Sequence, residues 1–273
     1  MFRKRSLPRV LTVLAAVLAV VLTAVTPAAA SHPNGPKPTI VLVHGAWADG
    51  SSWSKITSRL LDDGYKVRVP PNPLRSLSSD SATIKDFLGT LSGPIILVGH
   101  SYGGAVITNA ATGNPNVKGL VYVDAFAPAA GEPIFPLAGA DSALNVPDPT
   151  TIFDFVPYPG APAGDVDLYL KHDLFVKTFA SGVPRHEAEN LYPSQRPLTF
   201  SAGSEPSGTP AYLTIRSWYV LGTGDLIITP KAQLFMATRA HSTITRIKAG
   251  HLGLVSNPKP ITKVIEQAAR ASR

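Results

Sequence analysis

The run Gly99-His100-Ser101-Tyr102-Gly103-Gly104 carries the strongest chemical signal in this chain. It follows an apolar, strand-like stretch, Pro94 to Val98, and leads into a segment of helical period, which is the context of a nucleophile elbow. In so tight a turn the residues two before and two after the serine must lack side chains, and Gly99 and Gly103 meet that demand. Neither the dinucleotide-binding nor the P-loop glycine spacing fits the run, so a phosphate loop does not explain it.

A serine hydroxyl is a weak nucleophile at neutral pH and needs a base to take its proton. Seven histidines compete to be that base, namely His32, His44, His100, His172, His186, His241 and His251. Around such an elbow the chain order is serine, acid, histidine, with the histidine beyond the last strand. His251, in Ala249-Gly250-His251-Leu252-Gly253, fits that order, whereas His241 precedes the last strand-like run and is expected to face solvent. The acid that orients the imidazole is assigned to Asp225, in the turn Gly222-Thr223-Gly224-Asp225. Asp124, at the end of the run Gly119 to Val123, is its rival, and otherwise braces the neighbouring loop.

Negative charge developing on a substrate oxygen calls for backbone N–H donors. The candidates are Tyr102, next to the serine, and Ala46 in His44-Gly45-Ala46-Trp47, where the His44 side chain is expected to shape the loop. Trp47, Phe126 and Leu252 are candidate walls of a substrate-binding pocket, with ordinary core packing as the competing reading. His186-Glu187 lacks the second histidine of an HExxH zinc site and nothing else has metal-ligand spacing, so neither a metal nor a cofactor is expected.

The elements that must position these residues alternate. Short apolar, β-branched runs suited to strands buried on both faces occur at Thr39 to Val43, Tyr65 to Val69, Pro94 to Val98, Gly119 to Val123, Ser217 to Leu221 and Thr243 to Ile247. Helix-period segments at about Ser52 to Leu61, Ser81 to Leu91, Gly103 to Ala111, Pro230 to Arg239 and Pro258 to Ala269 lie between them. Alternation of this kind predicts parallel strands joined by crossovers. The stretch from about Pro128 to Arg216, rich in Pro, Gly and Asp, breaks the rhythm and is expected to be a helical cap insertion, with helices near Val166 to Ala180 and Pro184 to Leu191.

At 273 residues the chain suits one large domain. Residues 1–30 open with Arg3, Lys4, Arg5 and Arg9, continue with an apolar stretch from Val10 to Val25 and end in Ala28-Ala29-Ala30, the layout of a cleaved secretory signal. The apolar stretch falls short of the roughly 20 residues a membrane span needs, so no stable anchor is expected after cleavage and the mature protein is expected outside the cell. Residues 31–38 read as a leader, and 39–273 as the folded domain. The formal charge of +7 shrinks to an excess of three bases once those four N-terminal ones are set aside, too few and too scattered for nucleic-acid binding. With Cys 0 there is no disulfide, thiolate metal site or Cys nucleophile.

The loop His44 to Trp47, Pro71-Asn72-Pro73-Leu74-Arg75, Gly99 to Gly104, Val123-Asp124-Ala125-Phe126-Ala127-Pro128 and Ser217-Trp218-Tyr219 together resemble bacterial serine esterases of the α/β-hydrolase fold, related to plant methylesterases and hydroxynitrile lyases. The resemblance runs from about Thr39 to Ala269. It implies the α/β-hydrolase fold, a mostly parallel sheet flanked by helices, and hydrolysis of a small ester. The lyases carry Thr at the position of Gly45 and Lys after the catalytic His, where this chain has Leu252, and both departures argue against cyanohydrin cleavage. Cofactor-free perhydrolysis uses the same three residues and stays open, as does a non-catalytic secreted binding protein of the same fold.

Overall fold

Thr39-Ile40-Val41-Leu42-Val43 forms the strand β1, and four of its five side chains are fully buried, as β-branched residues in a two-sided sheet should be. The computed structural model describes Phe2 and residues 36–272; the expected signal segment and most of the leader lie outside these. Further strands are β2 (Lys66–Arg68), β3 (Ile95–His100), β4 (Val117–Val123), β5 (Phe153–Val156), β6 (Asp167–Leu170), β7 (Leu198–Thr199), β8 (Ser217–Gly222) and β9 (Thr243–Ile247). Six of them form one sheet in the order β2-β1-β3-β4-β8-β9, and every pairing in it is parallel.

Parallel neighbours need crossovers, and helices supply them: α1 (Ser54–Asp62), α2 (Leu77–Gly89), α3 (Tyr102–Ala110), then, after the insertion, α5 (Pro230–Arg239) and α6 (Pro258–Ala271). Their starts are capped as the sequence allows. Ser76 accepts from Ser79 N ahead of α2, and Thr229 accepts from Ala232 N with Pro230 in the first turn of α5. The helix α6 buries Ile261, Val264, Ile265, Ala268 and Ala269, the three-four spacing of a single stripe against the sheet. The strand order reverses between β1 and β3, so the crevice beyond their carboxyl ends is where a ligand site of such a sheet forms.

The insertion corrects one expectation. It holds the helix α4 (Arg185–Leu191), where one was predicted, but also a three-stranded antiparallel sheet in the order β5-β6-β7. The predicted helix at Val166 to Ala180 begins as strand: Asp167–Leu170 is β6, and a helical turn followed by a π-helical turn occupies His172–Phe179. The alternation Asp167, Leu168, Tyr169, Leu170 carries period two, but hairpin partners at Phe153 and Leu198 decide the outcome, and they lie far along the chain. Among the described residues no helix is long and apolar enough to cross a membrane.

Candidate active site

Ser101 stands between the end of β3 and the start of α3 with φ 53° and ψ −125°, a left-handed backbone that costs a non-glycine residue about 1–3 kcal/mol. Close packing holds it there. A Cβ on Gly99 would come within 2.5 Å of Gly103 O, and one on Gly103 within 2.5 Å of Val43 O, so only glycine lets the turn close against β1. The Ser101 amide donates to Val123 O (3.3 Å) and its carbonyl accepts from Phe126 N (3.1 Å).

The structure brings Ser101, His251 and Asp225 together from the ends of β3, β9 and β8. His251 Nε2 lies 2.9 Å from Ser101 Oγ, and His251 Nδ1 lies 2.8 Å from Asp225 Oδ2. All three side chains are buried. Asp225 accepts in four directions: Oδ1 from Ile227 N (2.8 Å) and Ile228 N (3.0 Å), Oδ2 from His251 Nδ1 and from Gln233 Nε2 (2.7 Å). Because Nδ1 donates to the carboxylate, Nε2 is left as the acceptor for the serine proton. Gln233 on α5 was not foreseen, since one glutamine in a helix gives no sign of which way it faces.

Asp124 is also buried, at φ 45°, but its Oδ1 accepts from Gly222 N (2.7 Å) at the end of β8 and it makes no hydrogen bond to His251. Burial, together with the neighbouring Asp225 charge, pushes its carboxyl well above the ordinary range, which favours its neutral form. It braces the turn that carries Asp225. His100, beside the serine, has its Nε2 3.0 Å from His251 O, to which it donates. Burial holds its imidazole well below the usual range, hence uncharged.

The loop after β1 runs against the serine: a Cβ on Gly45 would lie 2.7 Å from Ser101 Cβ, so the backbone has no room for a larger residue there. His44 shapes this loop as expected. Its Nδ1 donates to Gly45 O (2.9 Å) and its Nε2 accepts from Asn72 N (3.1 Å), while Asn72 Nδ2 donates to His44 O (3.0 Å). Desolvation lowers the His44 pKa, consistent with a neutral ring that both donates and accepts. Among the described residues the Ala46 and Tyr102 amides have no hydrogen-bond acceptor. Tyr102 opens α3, where helix N–H groups have no partner of their own and the helix dipole favours negative charge. Its hydroxyl donates to the buried Asp80 Oδ2 (2.7 Å).

The remaining candidates fall elsewhere. His172, His186 and His241 are exposed, and His172 pairs with Glu189 at 2.7 Å. Trp47 and Leu252 border a crevice of only about 20 Å³, roofed by Phe175 and Phe179, whose second ring lies 5.2 Å from that of His251. Phe126 is buried beside the elbow and borders neither this crevice nor the main cavity. The main cavity, about 580 Å³, is framed by the insertion: Phe135, Leu144, Phe153, Phe155, Leu168 and Phe200 make its apolar wall. Phe153 packs on Trp47 with ring centroids 5.7 Å apart, so one aromatic layer separates this space from the loop beside Ser101. Among the described residues no group of three or more His, Asp or Glu is arranged to hold a metal.

A parallel sheet with a serine elbow, histidine and acid at its carboxyl edge defines a class, and residues 40–264 match the alpha/beta hydrolase family. The chain belongs to that family. It is 38% identical over 110 residues to a carbendazim hydrolyzing esterase from Nocardioides sp. (strain SG-4G), a match covering 36% of this chain and 46% of that relative, so less than half of the relative's length is spanned. It is 26% identical over 254 residues to a pyrethroid hydrolase from Sphingobium wenxiniae, covering 85% of this chain and 88% of the relative. The crystal structure of a methylesterase from Arabidopsis has the same fold, with a TM-score of 0.68 at 17% identity over 85% of this chain and 98% of that one.

Proposed function

We propose that the protein is a secreted serine esterase that cleaves a small carboxylic ester through an acyl-enzyme. His251 takes the Ser101 proton as Oγ attacks the ester carbonyl, and Asp225 stabilises the imidazolium that forms. The tetrahedral oxyanion accepts hydrogen bonds from the Ala46 and Tyr102 amides, each such donor contributing about 10²- to 10³-fold to the rate. His251 then protonates the departing alcohol, and water activated by the same ring releases the acid.

The observation that carries this reading is the unbroken hydrogen-bond chain from Ser101 Oγ through His251 to Asp225, at 2.9 and 2.8 Å, beside two amides without acceptors. The esterase and pyrethroid hydrolase among its relatives support ester chemistry, and the apolar cavity of about 580 Å³ suits a hydrophobic acyl or alcohol group. Export rests on the N-terminal basic, apolar and small-residue zones. Purified protein is expected to turn over p-nitrophenyl acetate and to react with a fluorophosphonate probe, and Ser101→Ala to do neither. Undiminished turnover by Ser101→Ala would remove the serine from the mechanism.

A further inference from the structure

The insertion reaches down to the loop that carries the Ala46 amide, at a point where that loop is under strain. Trp47, the next residue, has φ 56° and is almost fully buried, a left-handed conformation that is an outlier for so bulky a side chain. Two insertion carbonyls hold it there: Trp47 N donates to Arg196 O (2.9 Å) and the indole Nε1 donates to Leu168 O (2.8 Å). Its ring is fixed between Phe153 and Phe179, centroids 5.7 and 5.8 Å away, both also from the insertion.

The loop after β2 repeats the arrangement. Leu74 is buried at φ 63°, and its carbonyl accepts from Thr199 N (3.2 Å) while Thr199 Oγ1 donates to Arg75 O (2.6 Å). Thus the segment Arg196 to Thr199 grips two strained loops, and those loops grip each other through the reciprocal His44–Asn72 bonds. Strained backbone of this kind persists only where its surroundings over-determine it.

We propose that the insertion, through Trp47 and Thr199, sets the position of the Ala46 amide, so that Trp47 is a positioning residue for the oxyanion and the cap is a working part of the oxyanion hole. This rests on the proposed esterase reading. The Trp47 peptide joins the Ala46 peptide at Ala46 Cα, so holding it narrows the directions open to the Ala46 N–H, and a donor aimed at an oxyanion loses its effect when displaced by about 1 Å.

Trp47→Phe tests the idea, because it keeps a ring between Phe153 and Phe179 while it deletes the donor to Leu168 O and trims the second ring of the indole. With p-nitrophenyl acetate, kcat is expected to fall about 10- to 100-fold with KM within about twofold, and fluorophosphonate labelling to slow in proportion. Thr199→Val, at a position outside both cavities, serves as the second variant. It should lower kcat at least about threefold, and the double variant should fall less than the product of the two, since both act on one unit. Circular dichroism melting checks that each variant is folded. An unchanged kcat in either folded variant, or a loss carried by KM alone, overturns the proposal. Absence of ester turnover by the wild type would remove the esterase reading and this one with it, whereas wild-type turnover with an unmoved Trp47→Phe kcat removes this one alone.

Discussion

Two carboxylates stand near the ends of adjacent strands, and replacing each by its amide separates their roles. In Asp225→Asn the amide oxygen must stay with the Ile227 and Ile228 amides, whose hydrogens cannot turn away. The new NH₂ then takes the place of Oδ2 and faces two donors, Gln233 Nε2 at 2.7 Å and His251 Nδ1 at 2.8 Å. Gln233 cannot turn its amide to accept without giving up the bond from its Nε2 to Ile228 O (2.9 Å). His251 can accept only by moving its proton to Nε2, and a protonated Nε2 cannot take the proton of Ser101. The loss of the correct tautomer is expected to lower kcat about 10⁴-fold, or about 5 kcal/mol of transition-state stabilisation. Asp124→Asn keeps the shape of the side chain and an acceptor for Gly222 N, and Asp124 makes no bond to His251, so kcat/KM should stay within about twofold. Initial rates with p-nitrophenyl acetate, normalised by active-site titration, measure both. If Asp225→Asn kept more than about a tenth of wild-type kcat, or Asp124→Asn lost more than about tenfold, the acid would have been assigned to the wrong strand.

Asp124 should also leave a mark on stability. Its folded-state pKa is raised above the ordinary 3.8, so between those two values the native protein holds a proton that the unfolded chain has released, and stability falls as pH rises. Asp124→Asn removes that loss, so its unfolding free energy relative to wild type, measured by melts at a series of pH values, should rise as pH climbs above 3.8, with a limiting slope of about 1.4 kcal/mol per pH unit; a constant difference would overturn the upward shift. Leu144→Trp projects bulk into the 580 Å³ cavity. It should lower kcat/KM for a p-nitrophenyl ester with a large apolar acyl group by about 10-fold or more while leaving the acetate within about twofold, and equal effects on both esters would disconnect the cavity from substrate binding.

The sequence alone determined much of this molecule, because the decisive constraints are local. A serine between Gly99 and Gly103 at the end of an apolar run admits few conformations, and β1, β9 and α5 have the bounds that apolar runs and caps predict. Chain order then pointed to His251 and Asp225. What only the tertiary structure decided are meetings between distant segments. That Asp225 rather than Asp124 faces His251 depends on which strand ends adjoin, as does the donation of Gln233 to the same oxygen. The antiparallel sheet of the insertion could not be read from Asp167 to Leu170, since strand formation there rests on partners supplied from Phe153 and Leu198. The hold of Arg196 and Leu168 on Trp47 is made by backbone carbonyls, which every residue type possesses. Such bonds leave no trace in side-chain identity, and folding alone brings their partners within reach.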